Sequence, residues 1–215
     1  MCNTPSYSFA RRTDIPKEYF RSDYLTIVMA HLPLREKSDF PEEYQYLLDE
    51  EVLGELNLFQ VIGHSPEILQ SFMKLASTLW EHSEIEEVAR EMLTLIVARD
   101  LDSRYVWHHH IGIAMDLGAP TDEIRTIGNT EYEVISAVDE RLVEFVLAFV
   151  RDEVTGEEVA RLQNHHSPGA VVSVAMLADH YVSVAKFVDN MDIALEEEFV
   201  GWQLERLQGS EGTHG

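Results

Sequence analysis

Residues Glu91–Ala114, EMLTLIVARDLDSRYVWHHHIGIA, decide how this chain is read. A largely apolar run that carries one glutamate meets a short polar break at Asp100–Arg104, and a second apolar run then brings Tyr105, Trp107 and three consecutive histidines. No alternating strand pattern competes with helix here, so the stretch predicts two helices joined by a tight break. Ser83 and Glu86 have capping-box spacing and are expected to open the first helix, with Val88, Met92, Leu95 and Ile96 facing inward and Glu91 on the edge of that face. The second, Ser103–Leu117, is apolar nearly all round, as expected of a helix at the centre of a bundle. A buried acid opposite a buried imidazole is a common way to tune proton affinity for acid–base work.

Working outward, the flanking sequence is also helical. Ser65-Pro66-Glu67 marks a helix entry, with Ser65 at the N-cap, followed by an apolar stripe of Ile68, Phe72, Leu75 and Leu79. From Pro41, PEEYQYLLDEE has proline in the first turn and acids near the positive helix end. Gly118-Ala119-Pro120 stops one helix and Thr121-Asp122-Glu123 starts another. Ala137–Val150 reads amphipathic to apolar, Thr155 with Glu158 forms a second capping box, and Ala170–Val188 is a long helix containing His180 and Tyr181. Leu25–Leu34 is a short apolar run that periodicity leaves open between strand, helical turn and subunit contact. The expected organisation is an all-α bundle: an N-terminal arm at 1–40, a helical domain at 41–190, and a loosely held acidic tail at 191–215.

At 215 residues with 45% hydrophobic content, the chain can bury a sizeable core as one domain. Its formal charge is −23, and four of its sixteen basic residues are lysines. Such a surface repels phosphate backbones and anionic lipid, which argues against nucleic-acid and membrane partners. A lysine-poor acidic surface also suits very high salt, where charge repulsion is screened over a few ångströms, so a halophile's protein is expected. Cys2 is the sole cysteine, which excludes a dithiol cycle within one subunit. No apolar run reaches the roughly 18 residues of a bilayer span, and the N-terminus lacks the apolar centre of a secretory signal; the expected address is cytoplasmic.

The segments HSPEILQSFMKLASTLW, VAREMLTLIVARDLDSRYVWHHHIGIAMDLGAP with TDEI after it, ERLVEFVLAFVRDEVTGEEVARL and SVAMLADHYVSVAKFVD resemble the carboxymuconolactone decarboxylase and alkylhydroperoxidase D superfamily. The resemblance covers Asn57 to Asp189. It is closest to long members whose motif reads Tyr-Glu-Trp and then His, here Tyr105-Val106-Trp107-His108-His109-His110. It implies an alkylhydroperoxidase D-like helical bundle that assembles as a homo-oligomer, a trimer or hexamer. In the peroxidase branch a Cys-x-x-Cys pair precedes a histidine, with a glutamate upstream in a relay. Carried onto this chain, the histidine is His110, the glutamate is Glu91, and the thiol positions hold Ser103 and Val106. Without a thiolate to attack peroxide and a second thiol to resolve it, the decarboxylase branch is the better guide. Val106 also stands where many long members have glutamate.

The candidate catalytic residues are therefore His110, Glu91 and Tyr105, with Trp107, His109, Ser103 and Arg104 facing a small-molecule substrate and no cofactor or metal expected. Each has a structural alternative. His110 could be a core histidine bonded to backbone or to Glu91. Glu91 could be a buried partner of Arg90, Arg104 or an amide. Tyr105 and Trp107 could be walls of the core, and Arg104 a surface ion-pairing residue. Consecutive helical residues point about 100° apart, so three histidines in a row cannot face one ion. The runs Glu86-Glu87 and Glu196-Glu197-Glu198 read as solvated surface. The expected function is cofactor-independent acid–base catalysis on a small organic acid or lactone. The alternatives are a non-catalytic oligomeric helical scaffold with a decayed site, and a thiol peroxidase, disfavoured by the missing thiols.

Overall fold

The structure is a computed structural model that describes residues 30–49 and 55–207. Cys2, the rest of the N-terminal arm through residue 29, and so the first half of the Leu25–Leu34 run, and the last residues of the tail lie outside the described residues. Among the described residues there are eight α-helices and no strand: α1 (Asn57–Ile62), α2 (Pro66–Glu81), α3 (Glu87–Asp100), α4 (Arg104–Asp116), α5 (Thr121–Gly128), α6 (Glu140–Val150), α7 (Gly156–Gln163) and α8 (Pro168–Asn190). The segment from Pro41 is helical but tighter than expected, a 3₁₀ helix at Glu42–Leu48.

Local chemistry sets most of the boundaries. Thr155 and Glu158 form the reciprocal capping box of α7, satisfying two otherwise orphaned donors. Ser167 caps α8, whose first residue is Pro168, and Asp139 caps α6. Gly118 ends the α4 region at φ +90, a conformation open to glycine without steric cost. The Ser83–Glu86 box does not form. Ser83 Oγ instead accepts the Ile85 N–H, and α3 begins one turn later with Glu86 in the cap position and no side-chain cap bond.

The axis of the bundle is α3 rather than α4. Every residue from Arg90 to Ala98 is buried, enclosed by α4, α5, α6 and α8. Leu93, Leu95 and Ile96 are fully shut from water, each contributing roughly 1.5–3 kcal/mol through burial. One side of α4 faces outward at Gly112, Met115 and Asp116, which explains why an apolar composition misplaced it at the centre. The expected stripe on α2 is likewise divided: Leu79 is buried and Phe72 half-buried, whereas Ile68 (62% exposed) and Leu75 (40%) face outward, and Leu69, outside the stripe, is fully buried. Periodicity identified an apolar side of α2 without revealing which part meets the core. A small second cluster joins Phe40, Leu47 and Leu48 to Leu69, and a side chain at Gly63 would run into the Phe40 ring.

Two expectations about the C-terminal third change. Helix α8 is long and apolar enough to cross a membrane, contrary to the expected absence of such a run, but its buried positions pack on α3, α4 and α6 as a core helix does. The tail is not loosely held through Leu207. Ile193, Val200 and Leu204 are buried, and the segment lies as a strap across α4.

Candidate functional site

The break at 101–103 turns the chain so that α3 and α4 lie side by side, and this brings Glu91 to His110. The His110 Nδ1–H donates to Glu91 Oε2 at 2.7 Å. The glutamate side chain is fully buried, while the histidine side chain keeps 12% exposure. Glu91 Oε1 has Arg90 Nε at 3.7 Å but no hydrogen bond, leaving one buried carboxylate oxygen incompletely satisfied. Arg90 is held elsewhere, donating to the Trp80 carbonyl at 2.9 Å with its guanidinium 4.4 Å from the Trp80 ring centre. With Nδ1 committed to Glu91, the neutral His110 ring carries its lone pair on Nε2, which has no partner among the described residues.

Helix α8 closes the other side. The Tyr181 ring meets His110 edge-on at 4.7 Å, and the Trp80 and Thr94 side chains are the hydrogen-bond partners of its hydroxyl. Burial, reinforced by the Glu91 charge, pushes the Tyr181 phenol well up, so it stays a neutral hydroxyl. His180 stands next to it, 5.0 Å from Tyr181 and 5.1 Å from Phe72.

A second histidine–carboxylate network occupies another side of α4. Tyr105 and His109 are one turn apart and pack ring on ring at 4.4 Å. The Tyr105 hydroxyl donates to Glu196 Oε1 at 2.7 Å and accepts the Leu58 N–H at 3.2 Å. Glu196 also accepts the Asn57 N–H at 2.6 Å, and its other oxygen lies 2.9 Å from His109 Nε2. Burial raises the Glu196 carboxyl, but the His109, Tyr105 and Asn57 bonds outweigh it and hold the group down at about 2. Burial and the Glu196 charge push the Tyr105 phenol up, fixing it as a donor. His108 accepts the Val200 N–H on Nδ1 and reaches Glu197 with Nε2 at 3.2 Å; burial lowers its proton affinity, with Glu197 opposing. No hydrogen bond joins this network to the Glu91–His110 pair among the described residues.

The predicted site residues therefore divide. Glu91 and His110 meet; Tyr105 and His109 belong to the strap network. Trp107 is fully buried, donating Nε1–H to the Gly201 carbonyl and meeting the Trp202 ring edge-on at 5.2 Å, which makes it a strap anchor. Ser103 is the N-cap of α4, accepting from the Val106 N–H. Arg104 is exposed with its guanidinium 4.4 Å from the Phe199 ring centre. Ser103, Arg104 and Tyr105 line a cavity of about 770 Å³ together with Lys186, Glu197 and Phe199, and neither Glu91 nor His110 lines it. Glu196, read as solvated surface, and Asn57 are the residues that sequence reasoning missed. Their partners are separated by 91 and 139 residues, and no local pattern encodes that pairing. No three His, Cys, Asp or Glu side chains among the described residues stand close enough to hold a metal ion.

No protein-family model matches the sequence, and neither does any curated protein. Solved structures do match. The alkylhydroperoxidase AhpD core of an uncharacterized peroxidase-related protein from Ralstonia eutropha JMP134 superposes with a TM-score of 0.69 at 14% identity, over 81% of this chain and 97% of that one. A peroxidase-related protein from Silicibacter sp. TM1040 gives 0.67 at 16% identity, over 80% and 94%. A cysteine-to-alanine variant of the debrominase Bmp8, in complex with 2,3,4-tribromopyrrole, gives 0.63 at 16% identity, over 83% and 95%. With an all-helical core built around α3, and these superpositions over four-fifths of its length, the chain has the alkylhydroperoxidase D-like fold.

Proposed function

We propose that this protein is a cofactor-independent acid–base enzyme acting on a small organic acid or lactone, in which His110 moves the proton and Glu91 positions it. The observation that carries the reading is the 2.7 Å bond from His110 Nδ1–H to a fully buried Glu91, which fixes the tautomer and leaves Nε2 open on a ring that is 12% exposed. In the base direction, Nε2 takes a proton from a carbon next to a carbonyl. The C–H electron pair passes into the carbonyl as an enolate, and Glu91 stabilises the imidazolium that forms. In the acid direction, a C–C bond to a carboxylate breaks, carbon dioxide leaves, and the imidazolium returns its proton to the carbon that receives the electron pair.

The thiol positions implied by the resemblance hold Ser103, committed to capping α4, and Val106, buried at 2% exposure, so a disulfide-cycling step has no residues there. The strongly acidic, lysine-poor composition supports a cytoplasmic, salt-adapted protein that shuns nucleic acid and membrane surfaces, and the fold likeness is in keeping with a homo-oligomer.

The test is deuterium wash-in from D₂O into a panel of butenolides and small unsaturated carboxylates, followed by proton NMR. His110→Gln is expected to lower the rate by about a hundredfold or more with the helical signal retained. Equal wash-in by the variant refutes the reading. One observation favours the non-catalytic scaffold as a second reading: the 770 Å³ cavity lies at the strap, away from Glu91 and His110. Wild-type protein inert toward the whole panel would favour it.

A further inference from the structure

His180 has no role in the pair described above, yet its setting is unusual. The residue is 7% exposed, one position before Tyr181 on α8. Its ring packs against Phe72 of α2 at 5.1 Å and 35°, and meets Tyr181 edge-on at 5.0 Å and 77°. His110 meets the same Tyr181 ring at 4.7 Å and 85°. Neither His180 nitrogen has a hydrogen-bond partner among the described residues, and neither is among the nitrogens sealed from solvent. Both nitrogens are therefore open to a partner from outside the chain, water or the oxygen of a bound molecule.

We infer that His180 is a second substrate-contacting residue: a flat acyl compound lies along Phe72 and Tyr181, and the His180 N–H donates to the oxygen that gains charge while His110 Nε2 takes or returns the carbon proton. The inference rests on the acid–base reading of Glu91 and His110 and names the substrate class for that site, a planar molecule whose carbonyl is conjugated with the reacting carbon. In the step, the C–H bond breaks, its proton goes to His110, and its electron pair ends on the carbonyl oxygen. The hydrogen bond from His180 strengthens as that oxygen becomes anionic. A donor that stays neutral suits this task, because it stabilises the oxyanion without transferring a proton to it. The surroundings keep it neutral: burial, and next the neighbouring charge of His110 on α4, press His180 down to about 4, with Asp179 on its own helix opposing.

Tetronate, the stable enolate of a five-membered lactone, is the probe. On wild-type protein its saturation is expected to shift the ¹⁵N resonances of the His180 ring. His180→Phe, which preserves the ring packing on Phe72 and Tyr181, is expected to weaken tetronate binding by about tenfold or more and to lower the wash-in rate at least as much. His110→Gln is expected to keep tetronate binding while losing wash-in. Unmoved His180 resonances at saturating tetronate, binding by His180→Phe within about twofold of wild type, or no wild-type binding at millimolar tetronate would each overturn the inference. Failure here is distinct from failure of the acid–base reading: wash-in that requires His110 and is indifferent to His180→Phe removes the second contact and leaves the first intact.

Discussion

Of the three histidine–carboxylate pairs along α4 among the described residues, His109–Glu196 and His110–Glu91 differ most in what surrounds them, and the difference separates a fastening arrangement from one with an open nitrogen. Glu196 accepts from Tyr105 and Asn57 with one oxygen and has His109 Nε2 2.9 Å from the other, contacts that tie three parts of the chain together. Glu91 accepts from His110 with one oxygen and has no hydrogen bond on the other, while His110 keeps an open nitrogen. A network that joins distant segments rigidifies what it connects, whereas a proton is taken up at a nitrogen whose lone pair is free.

Substitutions break the comparison in order of expected effect. His110→Gln removes the only exchangeable nitrogen of the interior pair and should reduce deuterium wash-in by about a hundredfold or more, with little change in melting temperature. Glu91→Gln should reduce wash-in by about tenfold to a hundredfold, by loosening the ring's orientation, and also cost about 3 kcal/mol in denaturant unfolding, because the buried Arg90 loses the countercharge 3.7 Å away. Glu196→Gln should leave wash-in unchanged and cost about 1–2 kcal/mol of stability, seen together with faster amide exchange in residues 193–204. If instead Glu196→Gln abolishes wash-in while Glu91→Gln does not, the assignment of the two pairs is reversed.

Acid titration sharpens the contrast. His180 binds its proton less readily in the folded state, at about 4 against 6.5, so the unfolded chain holds more protons between those values. Stability is therefore lost as pH falls from about 6.5 toward 4, by up to about 3 kcal/mol. Glu196 is depressed to about 2 from 4.5, so its contribution is present above 4.5 and is lost as pH falls from there to about 2. Unfolding measured against pH should show the first loss vanish in His180→Phe and the second in Glu196→Gln. The smallest effect is Ser103→Ala, which removes the N-cap of α4 at a cost of about 1 kcal/mol.

How much of this was legible in the sequence follows from distance along the chain. The α7 capping box and the glycine stop after α4 involve residues within one turn of each other, and their patterns survive in one dimension. The Glu91–His110 approach spans nineteen residues across a single turn; residue types made it plausible, and resemblance to a family singled out the partners. The strap was not legible. Glu196 sits in an acidic run that reads as surface, and its partners Tyr105 and Asn57 come from distant elements that only the folded core brings near. The central role of α3 was missed because composition cannot tell a helix enclosed on all sides from one that leaves a strip to solvent.

The most direct measurement is ring ¹⁵N NMR of histidine-labelled protein at mildly alkaline pH, with His110 assigned by its loss in His110→Gln. The account predicts a neutral His110 ring protonated on Nδ1, bonded to Glu91, with a bare Nε2 that broadens by exchange with solvent. A ring protonated on Nε2 with a bare Nδ1 would contradict it, since that tautomer can neither donate to Glu91 nor accept a substrate proton.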